Sequence, residues 1–67
     1  MTIKKIQEKV NKGCELTEKQ FNRWVKARKI KNVIWSKKHY DLNETEDEVV
    51  DEYWSVWADG IKVFVEG

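Results

Sequence analysis

The apolar positions of this 67-residue chain change period once, near residue 32. Before that point they recur at helical spacing. Ile3, Ile6 and Val10 stand at i, i+3 and i+7, with Lys4, Lys5, Glu8, Lys9 and Lys12 off that face. The pattern predicts a short helix over 2–12, closed by Gly13, because a helix C-terminus favours a left-handed residue. A second helix is predicted over 18–30. Thr17 and Gln20 form a capping box, and Leu16 and Phe21 form the accompanying hydrophobic staple. Phe21, Trp24 and Val25 make its core stripe, with Arg28 just beyond. Glu18 at its start and Lys26, Arg28 and Lys29 near its end complement the helix dipole. The short link through Cys14, Glu15 and Leu16 makes the two helices neighbours in space.

Beyond Asn32 the signal is that of strands. Val33-Ile34-Trp35 opens a predicted strand over 33–40, and residues 41–48 read as a polar, acidic loop. Asp59-Gly60 is a type I′ turn pair, since both residues tolerate the positive φ that the turn requires. A two-residue turn fixes the register. Ala58 then faces Ile61, Val56 faces Val63 and Trp54 faces Val65, all on one apolar side. Trp57 faces Lys62, Ser55 faces Phe64 and Tyr53 faces Glu66 on the other. A slip of one residue would destroy this separation. Asn43 and Glu46 would also cap a short helix over 43–54. A strand from about 49 is preferred, because it extends the hairpin and lets 33–40 add a third strand. The expected fold is α+β: two short N-terminal helices packed on a C-terminal antiparallel sheet of two to three strands ending in a tight β-hairpin. Residues 1–67 form one small domain.

Composition supports a folded chain. Charged residues reach 37%, yet the net charge is +1 and aromatics make up 12%, the reverse of a disordered sequence. One cysteine allows no internal disulfide, and no apolar run approaches the ~20 residues of a membrane span. The reading is a reduced, cytoplasmic protein with no membrane association.

The small net charge conceals a polarity. Residues 1–39 carry twelve Lys/Arg and three Asp/Glu, whereas 40–67 carry one and nine. In one reading the basic helices pack beside the acidic sheet and the halves attract each other. In the other, the charges face partners.

Candidate chemistry is thin. His39 is the only histidine, follows two lysines, and has no nucleophile placed beside it by the sequence. Cys14 reads as a small, half-buried apolar residue in a turn. Asp41, Asn43, Thr45, Asp47 and Glu52 fall at EF-hand ligand positions, but Glu46 stands where that loop needs Gly. One Cys and one His cannot fill a structural zinc site, and there is no Gly-rich phosphate loop. No enzyme activity, metal or cofactor is expected.

Two binding functions follow. The first is a small non-catalytic protein-binding regulator or inhibitor, in the style of phage and mobile-element accessory proteins. Tyr53, Trp57 and Phe64 would be its exposed anchors, and Glu46, Asp47 and Glu48 its steering charges. The alternative is a small nucleic-acid-binding protein using the basic segment 26–40. Lys26, Arg28, Lys29, Lys31, Lys37 and Lys38 would meet phosphates there, and Trp35 would stack on bases. Homo-oligomer formation is also open, through a strand edge or through the opposite poles. Lys37, Lys38 and Lys62 are charges of the kind that discourage edge pairing.

Overall fold

The computed structural model describes residues 2–67. Its elements run α1 (Ile3–Lys12), β1 (Glu15–Leu16), α2 (Glu18–Arg28), β2 (Val33–Leu42), β3 (Val49–Ala58) and β4 (Ile61–Glu66). Both helices begin on a threonine. Thr2 accepts a hydrogen bond from the Lys5 amide, and Thr17 with Gln20 makes the reciprocal capping box anticipated from the sequence. At the end of α1, Gly13 adopts φ 75°. Its amide and that of Cys14 donate to the Val10 and Lys9 carbonyls, which closes the helix.

The second helix ends at Arg28, slightly earlier than predicted, because Lys29 turns into the left-handed region at φ 54°. A side chain is strained there, and glycine is not. Lys29→Gly is therefore expected to stabilise the fold by about 0.5–1 kcal/mol, read as a higher urea midpoint with an unchanged slope.

The sheet departs from expectation. It has four strands in the order β1-β4-β3-β2 and is mixed rather than antiparallel. β4-β3-β2 is antiparallel, but β1 lies parallel to β4, with Glu15 beside Phe64 and Leu16 beside Val65. The extra strand comes from the link between the helices. Leu16, completely buried, reaches the core only if its backbone runs along the edge of β4. The β3–β4 hairpin has the expected register throughout, from Ala58–Ile61 to Tyr53–Glu66, with Asp59 and Gly60 at φ 48° and 83°. Asp59 also ties the turn to the chain before β2, since its carboxylate accepts from the Lys31 and Asn32 amides.

The core lies between the helices and one face of the sheet. Ile6 and Val10 from α1, Phe21 and Trp24 from α2, and Leu16 from β1 meet Val56, Ala58, Val63 and Val65. The buried Trp24 indole N–H donates to Gln7 Oε1 at 2.8 Å, which also accepts from Arg28. β2 adds Val33 to the rim of this core, and the Trp35 ring meets the edge of it through Phe21 and Trp54. Cys14, expected to be half-buried, is exposed, because its link carries Leu16 rather than the cysteine inward. No helix among the described residues is long and apolar enough to cross a membrane.

Candidate interaction surface

β2 and β3 outrun everything that covers them. β4 stops at Glu66, opposite Tyr53, while β3 begins at Val49 and pairs with β2 as far as Leu42. The result is a long two-stranded ribbon with the acidic residues 43–48 at its tip. Among the described residues, every large apolar side chain that is strongly exposed lies on this ribbon: Ile34, Trp35, Tyr40 and Leu42 on β2, and Val49, Val50 and Trp57 on β3.

Cross-strand pairing sorts the ribbon into two faces, because directly paired residues point the same way. The face turned from the helices carries Ile34 opposite Trp57, Lys37 opposite Ser55, His39 opposite Tyr53 and Asp41 opposite Asp51. It grades from apolar and basic at the hairpin end to acidic at the tip. Ile34 is 62% exposed and Trp57 41%, and Lys62 stands beside Trp57 on β4.

Tyr53 and Phe64 share that face but are half-buried, which corrects the expectation of three exposed anchors. Their rings meet edge to face at 5.6 Å. His39 stacks on Tyr53 at 4.9 Å, and the Lys62 ammonium lies over Phe64. Ser55, only 5% exposed, shares a hydrogen bond of 2.6 Å with His39 Nε2. The sequence did not place a nucleophile beside His39. The pairing of β2 with β3 does, but it buries the hydroxyl against its own sheet, where a substrate has no approach. The contact satisfies a buried serine. Glu46, Asp47 and Glu48 lie at the far end of the ribbon. Val49 is about 26 Å from Trp57 along β3 at ~3.3 Å per residue.

The acidic end is electrostatically loaded. Burial first, then a hydrogen bond to Asp51 and the charges of Asp51, Glu66 and Asp41, raise the Glu15 carboxyl above its ordinary pKa. A raised carboxyl pKa means that the fold opposes ionisation, so stability falls as pH rises through the carboxylate range. Glu15→Gln is expected to raise the urea midpoint at pH 7 and to give no gain in acid, where Glu15 is protonated in both states. Asp47 and Asp59 behave oppositely. Hydrogen bonds from Thr45 and Asn43 lower the first, and the Asn32 and Lys31 amides lower the second. Their contribution is present at neutral pH and lost as pH falls through those lowered values.

Three of the five residues at EF-hand positions, Asn43, Thr45 and Asp47, turn inward on one another, while Asp41 faces Asp51 and Glu52 pairs with Lys38. Asn43 Oδ1 accepts from the Asp47 amide and the Thr45 hydroxyl, while its own Nδ2 donates to Asp47 at 2.7 Å. Strands flank the loop where an EF-hand has helices. Among the described residues no group of three or more metal-ligating side chains is placed to hold a metal ion.

The basic residues do not converge on one surface. Lys26, Arg28 and Lys29 are exposed at the end of α2, and Lys31 follows in the turn. Lys37 and Lys38 point to opposite faces of β2. Lys38 is engaged with Glu52 at 3.2 Å and lies over the Tyr40 and Trp54 rings. Trp35, though partly exposed, is packed edge-on against Phe21 and Trp54. The ion pair thus lies within the sheet, and the acidic loop sits at the tip of the ribbon rather than under the basic helices. The poles are held apart along a molecule 42 Å long. Compared with known proteins, the chain matches no family model, no curated protein and no solved structure.

Proposed function

We propose that this chain is a small non-catalytic protein-binding regulator or inhibitor that acts by stoichiometric binding, with the outer face of the ribbon as its contact surface. One observation carries the reading: the strongly exposed large apolar residues lie on β2 and β3, and two of them, Ile34 and Trp57, meet as a pair on the outer face. Ile34 and Trp57 form an apolar anchor of the kind that dominates binding energy. Lys37 and Lys62 flank it, and residues 46–48 are acidic at the far end. The matching partner is a protein with an apolar pocket rimmed by acids and a basic patch about 26 Å away, estimated from the strand rise. Opposite charges at two separated points steer association and fix orientation.

The test is capture on the full chain, with Trp57→Ala as the reference bait, followed by calorimetry with the purified partner. A one-to-one complex that the variant fails to form supports the reading. Failure to capture any protein selectively overturns it. So does retention of nucleic acid alone with affinity falling steeply as salt rises, which is the signature of phosphate binding.

A further inference from the structure

The two edges of the sheet are unequal. β1 closes one with two residues, whereas β2 leaves ten along the other. A long edge strand with exposed Ile34, Trp35, Tyr40 and Leu42 is a template for another strand. The lysines on it read from the sequence as a deterrent. The structure gives them a different role.

We propose that the occupant of this edge is a second copy of the chain, paired antiparallel along β2 about a two-fold axis at His39. In that register Lys37 stands opposite Asp41 of the copy, Lys38 opposite its Tyr40, and Ser36 opposite its Leu42. Each pair occurs twice by symmetry. Lys37 and Asp41 share the outer face, and Lys38 and Tyr40 share the other, so each of these two pairs meets on a common side. Asp41 gains most. Within its own chain it faces Asp51, a like charge, and both Lys37 and Asp41 are exposed and able to meet the copy. The exposed Tyr40 ring already lies under one ammonium, that of Lys38, at 5.5 Å.

Other registers are poorer. Centring on Lys38 opposes like charges, centring on Tyr40 pairs fewer residues, and odd shifts set residues of opposite faces against each other. The His39 register also joins the poles. Past Leu42 the 43–48 loop folds back on itself, and its acidic residues project towards the start of the copy's β2, with Lys31 just before that strand. In this register the acidic end of each chain is brought towards the basic end of the other.

Sedimentation equilibrium on the full chain tests this. The wild type is expected to be a dimer that dissociates as salt rises. Lys37→Glu and Asp41→Lys each set like charges opposite one another and should weaken dimerisation roughly thirtyfold. The Lys37→Glu/Asp41→Lys double variant restores opposite charges and should dimerise like wild type. The two single variants mixed should form a heterodimer, for the same reason. Circular dichroism establishes that each variant is folded. A wild type that stays monomeric at every concentration overturns the proposal. So do single variants that dimerise as wild type does, or a double variant that stays as weak as the singles. Asp41→Lys leaves Ile34, Lys37, Trp57 and Lys62 intact, so loss of the dimer in that variant and loss of a partner protein are separate results.

Discussion

Trp24→Ala is expected to leave the chain without a cooperative unfolding transition. Trp24 is completely buried, stacked on Phe21 at 6.2 Å, covered by the Arg28 guanidinium at 5.7 Å, and bonded through its indole nitrogen to Gln7. Truncating a buried tryptophan costs about 3–5 kcal/mol. A core in a domain of this size rarely supplies more than about 3–5 kcal/mol in total. Lost near-UV circular dichroism and collapsed amide dispersion would register the result. A variant with a wild-type urea midpoint would place Trp24 outside the core. Trp24→Phe should be intermediate. It keeps an aromatic body beside Phe21 but loses the indole donor, while Gln7 retains its bond from Arg28.

Trp57→Ala should have the opposite outcome. The residue stands on the outer face outside the buried core and is 41% exposed, so its truncation is expected to cost about 1–2 kcal/mol and leave the chain folded. Its expected effect is on binding. A central tryptophan anchor is worth about 2 kcal/mol or more, close to a thirtyfold change in Kd. Calorimetry against the partner reads the loss, and thermal unfolding reads the retained fold. Unfolding of this variant would make the outer face part of the core and remove the basis of the proposed contact. Tyr53→Ala and Phe64→Ala are poorer probes, since these half-buried rings pack on each other and on His39 and Lys62. Their removal disturbs the fold as well as the surface.

Much of this architecture was legible because it rests on local chemistry. Thr17 and Gln20 specify a helix start within four residues, and Asp59-Gly60 specifies a turn that dictates its own register. Both act through neighbours in the chain, so they can be read without knowledge of the rest. The strand beginning at Val49 followed from the same hairpin. The Ser55–His39 contact was not legible, because it depends on the β2–β3 register, in which irregularities between Trp35 and Lys37 and between Asp41 and Leu42 shift the pairing. A bulge leaves little mark in a pattern of alternating residues.

Local chemistry specifies two capped helices, a hairpin with a defined apolar face, and a chain divided into basic and acidic halves. Each is a property of residues close to one another in the chain. The parallel strand of Glu15 and Leu16 on β4 emerges only from the packed fold, since that pairing joins segments almost fifty residues apart and carries no local signature. The packed fold also sets the fate of the charges. The halves allow either mutual attraction or charge facing partners, and β2 and β3, which extend beyond the helices, carry the acidic loop out to the tip. Strand length and pairing, rather than charge, set that distance. The basic and acidic poles, the exposed ribbon and the open β2 edge are therefore surfaces that the fold presents outward.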